Sequence, residues 1–129
     1  MNTKNPVFEM NGYFNEFVFA NVIQNHNNNV YKHKLNEPFI TATEGRELHS
    51  DFVKNVEAKY SEKYGRNYDV SSCGKTVLLT SINETFRNKY GKNIISENKY
   101  DDVYTTYKKM FIKLAKNTCD FSCEMNWLE

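Results

Sequence analysis

Apolar residues recur at helical spacing most clearly between Ser72 and Gly91. Leu78, Ile82 and Phe86, with Leu79 and Tyr90 beside them, fill one arc of a helical wheel, and Thr76, Thr80, Asn83 and Arg87 fill another. The pattern predicts an amphipathic helix capped by Ser72 and stopped by a left-handed Gly91. A second helix is predicted from Thr41, where Thr41-Ala-Thr-Glu44 has the form of a capping box. Leu48, Phe52, Val56 and Tyr60 repeat every four residues on its buried side, and Tyr64-Gly65 ends it. The string Lys-Tyr-Gly-basic-Asn closes both helices, at 63–67 and at 89–93, and reads as a glycine stop with cations placed favourably for the helix dipole.

Elsewhere the pattern supports more than one element. Residues 1–11 read as an N-terminal arm, with Pro6 and Asn11-Gly12 as turn signals. Tyr13 to Ile23 suits a helix burying Phe14, Phe17, Val18 and Val22, and its aromatic pairs repeat every four residues. The same residues suit a strand entered through a hairpin turn at Asn11-Gly12, and the helix is preferred. Gln24 to Asn29 is expected as a polar loop, Val30 to Leu35 as a short strand, and Pro38 as extended chain. For residues 92–112 the helical reading gathers Val103, Tyr107, Met110, Phe111 and Leu114 on one face, opposite Lys109, Lys113 and Lys116. The strand reading pairs Ile94–Glu97 with Val103–Phe111 as a hairpin, which the Val-Tyr-Thr-Thr-Tyr composition favours.

Length then limits the choices: 129 residues make one domain able to bury a core, here a body over 12–116 followed by an acidic tail over 117–129. Net charge is +1, as a neutral first forty residues, a basic body and a tail carrying Asp120, Glu124 and Glu129. That balance permits a nucleic-acid partner without demanding one. The tail offers Phe121, Met125, Trp127 and Leu128 for docking on its own core or on a partner. No leader-like or membrane-spanning run is seen and the three cysteines form no disulfide framework, so a soluble intracellular protein, cytoplasmic or nuclear, is expected.

Catalytic and metal signatures are not found. Cys119 and Cys123 form one close pair without the second pair that structural zinc requires, so no metal is assigned. Cys73 at a helix start is a candidate for a lowered pKa, against the default of a buried, inert thiol. Gly74-Lys75-Thr76 lacks the leading glycine of a phosphate-binding loop. His49 falls within the apolar arc of its helix and reads as a satisfied inner histidine. The carboxylates show no acid–base pairing, so no enzyme, cofactor or small-molecule substrate is expected.

The helix pair instead suits a helix-turn-helix, in which the second helix buries one face and offers hydrogen-bonding side chains on the other. Arg87 has the donor fork for guanine, Asn83 the amide for adenine, and Lys75, Thr76 and Thr80 suit phosphates or thymine methyls. The succession TATEGRELHSDFV, YDVSSCGKTVLLTSI and KNIISENKYDDVYTTYKKM resembles the winged-helix module at the C-terminus of viral and phage primase-helicases, over about residues 12–112. The resemblance implies an α+β winged-helix-like fold, three helices plus a small β-hairpin, with a mainly helical fold carrying a long C-terminal helix as the alternative. It further implies DNA binding by the helix over 73–90 and nearby lysines, Lys92, Lys99, Lys108 and Lys109, and the expected role is regulatory. Departures are the long 53–70 segment, the acidic Asp101-Asp102 at the wing tip and the extra tail. A second expectation comes from the near-neutral charge, the acidic tail and the surplus of Tyr and Phe: a small protein-interaction module, such as a viral or mobile-element inhibitor of a host protein.

Overall fold

In the computed structural model, which describes residues 6–65 and 67–116, four α-helices follow one another: α1 (Pro6–His33), α2 (Ala42–Tyr64), α3 (Lys75–Tyr90) and α4 (Tyr100–Lys116). Single 3-10 turns at Val70–Ser72 and Glu97–Lys99 precede α3 and α4. No strand occurs among the described residues, so the α+β winged-helix expectation is overturned and the mainly helical alternative describes the chain. Among the described residues no helix is long and apolar enough to cross a membrane. The residues of the acidic tail lie outside the described part.

The helix α1 begins at Pro6 and runs 28 residues, through the expected arm at 6–11, the expected loop at 24–29 and most of the expected strand at 30–35. Asparagine-rich sequence is poor helix material, and tertiary hydrogen bonds decide the outcome here. Asn27 clamps the backbone of Ile40, donating through Nδ2 to its carbonyl and accepting its N–H, both at 2.8 Å. One turn away, His26 Nε2 donates to the carbonyl of Pro38 at 2.8 Å. The helix stops at Lys34, a non-glycine residue with φ of 48°.

Of the expected stripe on α1, Phe14, Val18 and Val22 are buried and Phe17 is half-buried; Phe19 is buried as well. Gly12 is not a hairpin turn but a point of close approach: a Cβ there would sit 2.6 Å from Ser71 Oγ. Asn15, fully buried, fastens the same contact by donating Nδ2 to the carbonyl of Val70 at 2.5 Å.

The second helix matches its expectation closely. Thr41 and Glu44 form the reciprocal capping box, Leu48, Phe52, Val56 and Tyr60 are all buried, and Gly65 stops the helix with φ of 64°. Before α3 the chain departs from the expectation. Ser72 belongs to the 3-10 turn, its carbonyl accepting from Tyr68 Oη at 3.3 Å, and the N-cap is Gly74, with no side-chain cap bond. Gly91 does stop α3, with φ of 82°.

Residues 100–116 are helical because their rings must reach one neighbour. Tyr104, Tyr107 and Phe111, three or four apart, come to one side of a helix, whereas a strand would divide them between two faces. They pack on α1: Phe14 meets Tyr104 edge-on at 5.4 Å, and Phe111 lies 5.5 Å from Phe14 and 5.3 Å from Phe17. Tyr107 Oη donates to the carbonyl of Asn21 at 3.3 Å. Val103 joins this face, but Met110 and Leu114, expected with it, are exposed.

Candidate docking groove

The side chains expected to read DNA are not presented as one surface. Asn83 is 2% exposed, and all of its hydrogen-bonding capacity is used inside the protein. Its Oδ1 accepts from the N–H groups of Ile94 and Ile95 at 3.0 and 2.8 Å, and its Nδ2 donates to the carbonyl of Ile95 and to Tyr100 Oη. Asn83 is therefore the clasp of the α3–α4 connection, and the expectation that it reaches a base is corrected. Thr76 is exposed, Thr80 is half-buried, and Ser81 and Thr85 are buried beside the apolar arc. Burial on two sides identifies α3 as the central helix of the core rather than one that lends a whole face to a ligand.

The cations of the same set are mostly engaged. Lys75 pairs with Asp101 and Lys92 with Glu37. The Lys92 hydrogen bond holds the Glu37 carboxyl below its ordinary value. Arg87 Nη1 donates to Asn93 Oδ1 at 2.6 Å. Lys108 lies over the Tyr104 ring at 5.9 Å, and Lys99 and Lys109 are exposed.

Cys73 is 2% exposed and burial pushes its thiol up to about 11, so the helix start confers no thiolate character. Among the described residues no cluster of His, Cys, Asp and Glu is arranged to hold a metal ion. Cys119 and Cys123 lie outside the described residues.

A different feature stands out on the opposite side of α1 from α4. Helix α2 packs along α3, while α1 packs along α4 and the Val70–Ser72 turn; α1 and α2 touch each other over a shorter stretch. The two helices run antiparallel with an open groove between them. Its central section has a volume of about 750 Å³, floored by Phe19, Ala20 and Ile23 of α1 and by Gly45, His49 and Val53 of α2. It continues past Tyr13 and Val70 at one end and past Tyr31 and Phe39 at the other. Tyr31 and Phe39 are 83% and 57% exposed there, large apolar surface left in water.

The floor is flat for a local reason. Gly45 lies in the second turn of α2, and a Cβ there would meet only Ile23 Cδ1, at 3.6 Å. Beside it, His49 wedges against Phe19 with ring centroids 5.1 Å apart, and its Nε2 is buried without a hydrogen-bond partner among the described residues. The inner placement expected for His49 is found; the satisfied ring is not.

The α2 rim carries Arg46 and Lys54. Neither makes an ion pair among the described residues, in contrast to Lys59, Lys75 and Lys92, each seated on a carboxylate. Arg46 Nη2 donates only to Thr43 Oγ1, at 3.3 Å. The facing rim on α1 is uncharged through Ala20, Gln24 and Asn28, and Glu16 and Glu57 stand at the Tyr13 end. The groove escaped sequence reasoning because it lies between two helices whose relative placement no periodicity encodes. Its trace in the sequence is a second apolar line on α1, Phe19 and Ile23, beside the Phe14–Val18–Val22 stripe, together with a glycine inside α2.

No family model, curated protein or solved structure matches this chain.

Proposed function

We propose that this chain is a protein-interaction module whose α1–α2 groove takes an amphipathic helix of a partner protein. The observation that carries the reading is the apolar floor beneath a rim on which Arg46 and Lys54 have no carboxylate partner among the described residues. From Ala42 to Val53 the floor follows about 17 Å of α2, three turns of a docked helix. Such a helix buries residues at i, i+4 and i+7 in the floor, the recurrent mode of helix-in-groove recognition. Carboxylates along its edge meet Arg46 and Lys54, which is where charge sets orientation and partner choice. The DNA reading is less well supported. Its adenine-reading side chain is a buried clasp, and two of its lysines already sit on acids.

The test uses two synthetic helices with leucine at i, i+4, i+7 and i+11, one with glutamate along the flank and one with lysine. Each is titrated into the isotope-labelled chain while backbone amide shifts are followed. The glutamate helix is expected to shift Ala20, Ile23, Gly45, His49 and Val53. It should bind about fivefold tighter than its lysine twin, the roughly 1 kcal/mol that rim ion pairs supply. Gly45→Arg should remove the shifts. Absence of shifts, or equal binding of the twins, would overturn the reading. Shifts at Thr76, Arg87 and Lys109 on adding a mixed-sequence DNA duplex, with the groove silent to both helices, would restore the nucleic-acid alternative.

A further inference from the structure

We propose that a cleft between α1 and the start of α4 binds a small hydroxylated anion of monosaccharide size, a sugar phosphate or a sugar acid. The cleft lies on the α4 side of α1, away from the docking groove, and the inference does not rest on the docking reading. It encloses about 240 Å³. Sites for drug-sized ligands run from about 300 to 1,000 Å³, so this one suits a single sugar ring. Val22 and Ile95, both buried, and the half-buried Val103 form its apolar part. Asn25 and Asn29 line it from α1, and Ser96 and Lys99 from the α3–α4 connection.

The run Gln24 to Asn29 divides by task. His26 and Asn27 hold the backbone of Pro38 and Ile40. Asn25 and Asn29 make no hydrogen bond among the described residues, although asparagine in a helix interior is unfavourable relative to alanine. They stand at i and i+4, so their amides lie on one face. Across the cleft, Ser96 and Lys99 stand at i and i+3 of a 3-10 turn, a spacing at which side chains eclipse. Ser96 makes no side-chain cap bond. Both walls are fixed from behind. Asn83 holds the backbone of Ile94 and Ile95 just before Ser96, and Tyr107 Oη, on the α4 wall, is tied to the carbonyl of Asn21.

Amide and hydroxyl side chains together donate and accept, as sugar hydroxyls do. Lys99 supplies positive charge. Among the described residues no carboxylate lines the cleft and Lys99 makes no ion pair. The acids nearest to it in sequence, Glu97 and Asp102, are exposed and stand outside the lining; Asp101 is seated on Lys75, and Glu37, beside His26, on Lys92. A sugar with its hydroxyls toward Asn25 and Asn29 and its anionic group toward Ser96 and Lys99 satisfies these polar groups while its C–H face rests on Val22 and Val103. The charge stays at the exposed rim, so neither ion pays a large desolvation penalty.

The test follows backbone amide shifts of the full-length chain on adding glucose 6-phosphate, glucuronate, glucose or inorganic phosphate in turn. Glucose 6-phosphate or glucuronate is expected to shift Asn25, Asn29, Ser96 and Lys99 saturably while Ala20 and Gly45 of the groove stay still. The tighter of the two identifies the anionic group as phosphate or carboxylate. Glucose should bind up to about fivefold more weakly, the contribution of one exposed ion pair. Inorganic phosphate, lacking the hydroxylated body, should bind about tenfold more weakly. Lys99→Gln should bring the charged sugars down to the level of glucose. Asn25→Ala with Asn29→Ala should weaken glucose and the charged sugars alike, about tenfold. Both alanines favour the helix, so that loss would not reflect lost folding. Silence at these amides toward all four compounds, inorganic phosphate binding as tightly as the charged sugars, or affinities unchanged in either variant would overturn the proposal.

Discussion

Asn83 holds the α3–α4 connection together, because one amide serves three backbone groups and a phenol. Alanine there leaves the N–H groups of Ile94 and Ile95 and the carbonyl of Ile95 unpaired in a buried setting. Each such loss costs about 1 kcal/mol or more. Asn83→Ala is therefore expected to lower stability by about 3 kcal/mol and the melting temperature by about 10 °C, measurable by thermal denaturation. A base-reading Asn83 would instead leave the melt unchanged. The opposite sign is expected at Lys34, whose φ of 48° places a Cβ where only glycine is at ease. Lys34→Gly should raise stability by about 1 kcal/mol in urea titrations. Neither residue announced itself in the sequence. Asn83 sits at the spacing of an outer stripe, and the loop that covers it could not be placed from the pattern. Lys34 fell within a segment whose alternation suggested a strand.

At the scale of elements, legibility follows how local the deciding forces are. Helix α2 could be read from its sequence because its cap, stop and buried stripe are all set within one helix: Thr41–Glu44, Gly65, and Leu48 to Tyr60. The second half of α1 could not be, since Asn27 and His26 hold it through backbone groups of Ile40 and Pro38 in another segment. The wing dissolved for a related reason: the β-favouring residues of 103–107 yield to the demand that Tyr104, Tyr107 and Phe111 meet Phe14 and Phe17 together. Two further ties, the Glu37–Lys92 pair and the Thr41–Glu44 capping box, are pH-sensitive. The Glu37 carboxyl is lowered chiefly by its hydrogen bond from Lys92, and that of Glu44 chiefly by the backbone N–H of Thr41 in the capping box, both from an ordinary 4.5. A depressed folded-state pKa contributes stability above the unfolded value and loses it as pH falls through the lower folded value. The urea midpoint should thus hold steady above about pH 5 and fall below 4.5. Glu37→Gln should flatten that fall. An equally steep acid limb in the variant would remove Glu37 from its cause.

The whole molecule shows a compromise between folding and an open face. Four helices of this length can close on one another, yet α1 and α2 are anchored chiefly to other elements and leave apolar floor between them. Gly45 makes the compromise measurable. It is helical and carries no positive φ, and the space above its Cα holds only an ordinary contact to Ile23, so folding alone does not ask for glycine. Alanine at an interior helical position is favoured over glycine by about 0.5–1 kcal/mol. Gly45→Ala is accordingly expected to stabilise the chain by that amount in chemical denaturation. The added methyl also rises into the floor, so the same variant should weaken the glutamate helix several-fold in the amide-shift titration. Gain of stability with loss of binding is the signature of a residue kept small for an occupant. Gain of stability with binding unchanged would mean that the floor tolerates a raised centre, and the occupant would then ride on Phe19, Ile23 and Val53 rather than over α2 at Gly45.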